Sequence, residues 1–171
     1  MTTLDVALLV LRLVAGLTFA AHGAQKTFGW WGGSGLTGWQ AVMGRMGFRP
    51  VVPFAIVSAL AELLGGLMLA VGLATPLAAA ILVAQTVVII VAAHWKRGFF
   101  NRDNGYEFPL ALGAGVVAIL LGGAGGLSLD AAIGFDPSAE VRLGLLVLGV
   151  LAGSLALAVP RLSRGPSAPV Q

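Results

Sequence analysis

The sequence predicts an all-α integral membrane protein with five transmembrane helices. Hydrophobic residues make up 58% of its 171 residues and charged residues only 10%, whereas a soluble domain carries about 25% charged residues. The apolar residues gather into stretches of about 20 residues, the length that crosses a bilayer as a helix. A segment in lipid must satisfy its own backbone hydrogen bonds, so these stretches are expected to be helical. The chain leaves no room for a separate soluble catalytic domain.

Five apolar stretches follow one another along the chain. No basic residue precedes the first stretch and Arg12 interrupts it, so we expect a retained helix rather than a cleavable signal peptide. A tight turn at residues 72–76 separates the second and third stretches. The fifth stretch is the shortest. The stretches cover residues 4–25, 51–72, 77–95, 108–127 and 143–159.

Lysine and arginine residues sort to one side of the five predicted helices. The opposite side carries a single basic residue, Arg142, near Asp130, Asp136 and Glu140. Because cytoplasmic loops carry an excess of basic residues, we expect a cytoplasmic C-terminus and an N-terminus on the other side. The basic residues on the predicted cytoplasmic side are Lys26, Arg45, Arg49, Lys96, Arg97, Arg102, Arg161 and Arg164.

The composition excludes several classes of chemistry. The sequence contains no cysteine, which excludes disulfide exchange, thiolate nucleophiles and iron–sulfur clusters. A redox role would therefore need a bound cofactor, and we expect no metal site. The net charge is +3, but without a basic stripe on a polar domain we expect no nucleic-acid partner.

Three polar residues are predicted to share one level near the middle of the membrane. At about 1.5 Å per residue from the outer face, Arg12, Glu62 and Gln85 come out at similar depths. A lone charge there is costly, so Arg12 and Glu62 are predicted to pair, with the Gln85 amide beside them. Such a group is either a structural clamp between helices or the floor of a polar ligand cavity.

A second polar layer is predicted at the basic side. His22 and Lys26 are four residues apart and so share a helix face, while His94 comes from another helix at the same depth. These side chains either lie at the headgroup level without a function, or line an opening, here called the polar mouth, that binds a ligand and transfers protons. The full predicted mouth is His22, Gln25, Lys26, His94, Tyr106 and Glu107.

The segment after the first helix combines tryptophan and glycine. Trp30 and Trp31 are adjacent and are followed by Gly32 and Gly33. Indole rings favour the headgroup level and glycine allows tight turns, so the segment is interpreted as an interfacial anchor or as a flap over the polar mouth.

Several short motifs together resemble the DoxX family. The motifs lie in order over about residues 4–133, which is most of the chain, and are specific as a set. The resemblance implies a four-helix membrane bundle at residues 1–133, and residues 134–171 would add a fifth transmembrane helix and a short tail. It also implies a bacterial plasma membrane as the location. The motifs are AHGAQK at 21–26, FG at 28–29 with GG at 32–33, AELLGG at 61–66, GFF at 98–100, GYEFP at 105–109 and SLD at 128–130.

The resemblance also implies a function. DoxX relatives include a subunit of thiosulfate:quinone oxidoreductase and members of oxidative-stress complexes, so we predict a membrane subunit of a quinone-linked oxidoreductase system. The mouth would bind a quinone head or a small anion, with Lys26 attracting the anion. His22, His94 and Glu107 would be the catalytic, proton-exchanging groups. Gln25 and Tyr106 would contact the substrate, with Arg12, Glu62 and Gln85 forming the cavity floor.

Other functions remain open at the level of the sequence. The bundle could be a non-enzymatic scaffold that holds a soluble redox partner at its basic side, in contact with membrane lipid. His22 and His94 could instead be axial ligands of haem b. Small-solute transport is a further alternative, although no inverted repeat is visible. Gly149 and Gly153 form a small-residue face that could support a homo-oligomer.

Overall fold

The structure is a computed structural model that describes residues 1–162. Those residues form helices and contain no strand. The predicted C-terminal tail, with Arg164, lies outside the described residues. The α-helices are α1 Thr3–Phe28, α2 Gly35–Arg45, α3 Val51–Val71, α4 Thr75–Val88, α5 Glu107–Gly122, α6 Leu129–Ala132 and α7 Ala139–Leu162. After α4 the chain continues as a π-helical segment, Ile89–His94, and a 3-10 turn, Trp95–Arg97.

Four helical segments are long and apolar enough to cross a membrane. They are Thr3–Phe28, Val51–Val71, Thr75–Arg97 and Ala139–Ala158. α5 is equally apolar but has only 16 residues. Exposed leucine and valine side chains on α1 and α7 supply the surface that lipid would cover. The prediction of an all-α membrane bundle is confirmed.

Two helix boundaries differ from the sequence prediction, and one helix was not predicted. α5 ends at Gly122 rather than near residue 127, because Gly123 and Gly125 have φ angles of 88° and 76°, which a right-handed helix does not allow. α7 is not the shortest helix, since it begins with a polar turn at Ala139 and has 24 residues. The helix α2 was not predicted at all, because glycine and polar residues hide its apolar face.

The closest helix packing in the bundle is between α1 and α3. A β-carbon at Gly66 would lie 2.5 Å from the Ala20 nitrogen and from the Gly16 oxygen, and one at Gly23 would overlap Leu63. Small residues at these positions let the two backbones touch, as membrane helices often do. The contacts fix the register of α1 against α3, with Gly16 beside Gly66 and Gly23 beside Leu63.

The helix α4 lies at the centre of the bundle, against α3, α5 and α7. Its alanine-rich surface is largely buried, as are Leu82 and Val83. Gly149 and Gly153 of α7 lie directly against the Ala80 and Ala84 carbonyls, where a β-carbon would come within 2.6 Å. The small-residue face proposed for oligomers is therefore used inside the chain, between α7 and α4.

We expect Gly66→Ala to destabilise the protein by about 1 to 3 kcal/mol, because the added methyl group would overlap the backbone of α1. Gly144→Ala is the matched control, since a β-carbon there meets nothing within 4 Å and alanine favours a helix. Thermal unfolding in detergent measures both variants. Equal stability of the two variants would contradict the close α1–α3 packing.

Candidate functional site

A cavity of about 270 Å³ lies where the helices α1 to α5 and the π-helical segment meet. We call it the central cavity. Most of its walls are apolar, and its polar side chains come from five different elements. Its lining consists of Phe19, His22, Lys26, Trp39, Met46, Glu62, Thr86, Ile89, Ala93, His94, Phe108, Pro109 and Leu112.

The central cavity contains one buried ion pair. Lys26 Nζ donates a hydrogen bond to Glu62 Oε1, and the Lys26 and Glu62 side chains are 15% and 1% exposed. The same ammonium group lies 4.2 Å from the centroid of the Trp39 ring, a cation–π contact. Glu62 therefore supplies the counter-charge to Lys26, and this ion pair has no net charge.

Two polar atoms at this ion pair have no hydrogen-bond partner among the described residues. They are Glu62 Oε2 and Trp39 Nε1, and both are buried. Buried polar groups are nearly always hydrogen-bonded, so each unpaired atom calls for a partner from outside the chain. Both residues line the central cavity, so a molecule bound there could give Glu62 Oε2 a donor and Trp39 Nε1 an acceptor.

Two histidines border the central cavity from different elements. His94 ends the π-helical segment, and its Nδ1 lies 2.7 Å from the Asn104 oxygen. His22 lies on α1, where it also borders an apolar groove formed by Leu13, Val14, Leu17, Thr18 and Ala21. A π-helical segment shifts side chains around the helix axis and often occurs at functional sites. Here that segment brings Ile89, Ala93 and His94 to the cavity wall.

Three residues of the predicted mouth lie outside the cavity lining. Glu107 is exposed and accepts a hydrogen bond of 2.8 Å from the Asn101 nitrogen, which holds the loop before α5. The Tyr106 ring stacks on Trp95 at 5.2 Å. Gln25 lies under Gly33, where a β-carbon would come within 2.6 Å of it. The structure thus brings together His22, Lys26 and His94, but not Gln25, Tyr106 and Glu107.

The predicted pair of Arg12 and Glu62 is wrong. Glu62 lies near Gly23, which is eleven residues or about 17 Å along α1 from Arg12. The predicted depths were wrong because they were counted along every helix from the same outer membrane face. In the structure the end of α3 at Gly72 lies beside Arg12, so α1 extends beyond α3 by more than two turns.

Gln85 also lies away from the central cavity. Its Nε2 donates to the Ser58 oxygen at 2.7 Å and to the Ser58 hydroxyl at 3.1 Å. This contact joins α4 to α3 and faces the apolar groove beside α7. The predicted floor of Arg12, Glu62 and Gln85 therefore does not exist as one group.

Arg12 belongs to a separate polar cluster at the opposite end of the bundle. It is fully buried, and its Nη2 donates to the Leu127 oxygen. The nearby Asp130 carboxylate supplies the opposing charge and accepts from the Ala74 and Thr75 nitrogens at 2.6 Å and 2.7 Å. Asp130 thereby fixes the turn between α3 and α4 and the start of α4.

Sequence reasoning missed two residues of importance. Trp39 belongs to the helix α2, which was not predicted. The only sign of its role in the sequence is a tryptophan four residues after Gly35, in a glycine-rich segment. Asp130 follows the last membrane stretch of the predicted bundle and was noted for its motif, not as a partner of Arg12. Both roles depend on contacts between elements far apart in the chain.

The Lys26–Glu62 pair predicts a strong coupling between two substitutions. Lys26→Met or Glu62→Gln alone should cost about 3 to 5 kcal/mol, because each leaves a buried charge unpaired, whereas the double variant should cost much less. Thermal unfolding of the four proteins in detergent measures the coupling. Arg12→Met combined with Glu62→Gln is the matched comparison, and these two losses should add because the sites are far apart. Additive losses at Lys26 and Glu62 would show that the pair does not form.

Comparison with known proteins identifies one family. The DoxX family model matches residues 7–95, which is just over half of the chain. Comparison with curated proteins finds no match, and comparison with solved structures finds none either. The matched segment includes all the ionisable residues of the central cavity, namely His22, Lys26, Glu62 and His94. The chain is therefore a membrane protein that belongs to the DoxX family.

Proposed function

We propose that this protein is a membrane subunit of a quinone-linked oxidoreductase or oxidative-stress system, and that the central cavity binds a quinone head group. The observation that carries the proposal is the composition of the cavity. Its walls are apolar and aromatic, and its polar end is the neutral Lys26–Glu62 pair beside Trp39. A flat apolar ring with polar oxygens is the chemistry that matches such walls.

The alternative ligand, a small anion, receives less support. Lys26 was expected to attract an anion, but Glu62 already neutralises its charge. An anion would also meet the unpaired Glu62 Oε2, a second negative oxygen. Transfer of a charge into an apolar cavity without a free counter-charge is costly, so a neutral ligand fits better.

The chain's own residues would have distinct roles around the bound head group. A quinone supplies the redox chemistry, since it takes up two electrons and two protons to become a quinol. Trp39 would donate a hydrogen bond to a ring oxygen, Glu62 would hold Lys26 in place, and His22 and His94 at the cavity border would exchange protons. The sequence has no cysteine, so a partner oxidoreductase would provide the electrons.

The position of His22 supports entry of the ligand from the membrane. His22 borders both the central cavity and the apolar groove on α1. Leu13, Val14 and Leu17 of that groove are exposed and face the region that lipid would occupy. A membrane-soluble ligand could therefore reach the cavity from the bilayer without crossing an aqueous phase.

We expect the purified protein to bind 2-methyl-1,4-naphthoquinone, a quinone without a tail. Ala93→Phe should weaken binding by at least about tenfold, or 1.4 kcal/mol, because the added ring would occupy the cavity that Ala93 lines. Ala7→Phe is the matched control, since Ala7 is exposed on α1 outside the cavity. Calorimetric titration in detergent, corrected with empty micelles, measures both. Equal binding by the two variants would place the quinone elsewhere.

A scaffold for a soluble redox partner is the second candidate function. Basic side chains around the cavity end of the bundle are exposed, among them Arg45, Lys96, Arg97 and Arg102, and such a surface attracts acidic partners. Gentle purification from native membranes, followed by mass spectrometry, separates the candidates. Retention of a partner by a His22→Ala/His94→Ala variant, with no co-purifying quinone in the parent, would favour the scaffold.

A haem b carrier is the third candidate. His22 and His94 both border the central cavity. The volume of about 270 Å³ lies below the usual range of about 300 to 1,000 Å³ for ligand pockets, which disfavours a large macrocycle. A Soret absorption band in the purified protein would favour haem over the quinone.

We also propose that the protein lies in the bacterial plasma membrane with the cavity end of the bundle toward the cytoplasm. Basic residues gather at that end, whereas Arg142 at the other end is paired with Asp136. Reporter fusions after Gln171 and before Leu4 should therefore report opposite compartments, with the C-terminus in the cytoplasm. Cytoplasmic signals from both fusions would contradict this topology.

A further inference from the structure

The unpaired atoms in the central cavity define what a ligand must bring. Glu62 uses Oε1 for Lys26, which leaves Oε2 without a partner among the described residues. A carboxylate can only accept hydrogen bonds, and an indole nitrogen can only donate. The complementary ligand therefore presents one donor to Glu62 Oε2 and one acceptor to Trp39 Nε1.

We infer that the central cavity selects a neutral aromatic alcohol, and hence the quinol form of its ligand rather than the quinone. The inference rests on the proposed function, because it names the redox form that the same cavity would bind. A hydroxyl group donates through its hydrogen and accepts at its oxygen, so it can satisfy both kinds of unpaired atom. A quinone has carbonyl oxygens only, which could accept from Trp39 Nε1 but would leave Glu62 Oε2 unpaired.

The energetic consequence is a preference for the hydroxyl ligand. A ligand with a donor gives a buried unpaired acceptor a hydrogen bond that a ligand without a donor cannot give, and hydrogen bonds to charged groups are stronger than neutral ones. Glu62 is almost completely buried, with a side chain 1% exposed, so solvent cannot replace the missing donor easily. The preference therefore resides in one oxygen atom, Glu62 Oε2.

This preference places the protein on the reduced side of a quinone reaction. A reductase that delivers two electrons and two protons to a quinone would supply the ligand, and an enzyme that oxidises quinols would consume it. In either case the cavity would stabilise the quinol relative to the quinone, which raises the reduction potential of the bound pair.

Three stable ring compounds of similar size test the inference in the full-length protein. 1-Naphthol carries a hydroxyl donor, 1-fluoronaphthalene replaces the hydroxyl by fluorine, and 1,4-naphthoquinone offers acceptors only. Calorimetric titrations in detergent, corrected with empty micelles, give the three dissociation constants. We expect 1-naphthol to bind about 10- to 100-fold more tightly than the other two compounds, the range of a hydrogen bond to a charged group.

Substitutions test whether Glu62 causes the preference for 1-naphthol. Lys26→Met/Glu62→Gln keeps the pair neutral and replaces the carboxylate by an amide that can donate as well as accept, so the preference for 1-naphthol should disappear. Trp39→Phe removes the indole donor and should weaken 1-naphthol and 1,4-naphthoquinone alike. Asp103→Asn removes an exposed carboxylate outside the cavity and is the matched control.

Each outcome separates the inference from the proposed function. Equal affinities for the three compounds in the parent protein would overturn the quinol preference and leave the quinone site standing. Binding of none of them would overturn both proposals. A preference that survives in the double variant would show that Glu62 is not its source. The ligand series in the parent protein decides the inference even if a variant does not fold.

Discussion

The close contact of α1 with α3 is the constraint on which the rest of the structure depends. Gly16, Gly23 and Gly66 let the two backbones touch, since a β-carbon at each of these positions would overlap the facing helix. That register sets Glu62 beside the last turns of α1, within reach of Lys26. It also leaves the first turns of α1 beyond the end of α3, where Asp5 accepts from the Gly126 nitrogen at 2.7 Å. The register of α1 against α3 thus determines both the helix packing and the position of the candidate site.

The register separates the buried charges into two clusters, one toward each end of the bundle. Lys26 pairs with Glu62 near the central cavity, and Arg12 lies near Asp130 at the turn between α3 and α4. Phe19 lies between Arg12 and Lys26 along α1 and belongs, with Leu69, to the apolar core of the bundle. Each charge has its opposite sign nearby, which a low-dielectric interior requires. The Asp130 carboxylate holds backbone groups of the turn, whereas Lys26 and Glu62 line the central cavity, and this difference distinguishes the structural cluster from the candidate site.

The membrane helices could be predicted from the sequence, but their positions relative to one another along the bundle axis could not. Apolar length and charge content identified the membrane helices, because each is a local property of about 20 residues. The meeting of His22, Lys26 and His94 could also be predicted, since each lies near the same end of its helix. The partner of Glu62 could not, because it depends on how far α1 slides past α3, and that distance is set by glycine contacts between helices. Helix α2 escaped prediction since its Trp39 and Met43 face inward from a segment rich in glycine.

The Lys26–Glu62 pair in the central cavity bears on the proposed binding of a ligand from the membrane. The proposed ligand is uncharged and would enter from the bilayer, so a free charge at the end of the cavity would not favour its binding. Pairing of Lys26 with Glu62 removes that charge while keeping polar atoms available. Trp39 covers the ammonium group on its other side at 4.2 Å, which limits access of water to the pair. Hydrogen bonds rather than charge would then select and orient the ligand at such a site. In an apolar cavity, a donor or acceptor that the ligand leaves unpaired cannot form a hydrogen bond with water instead.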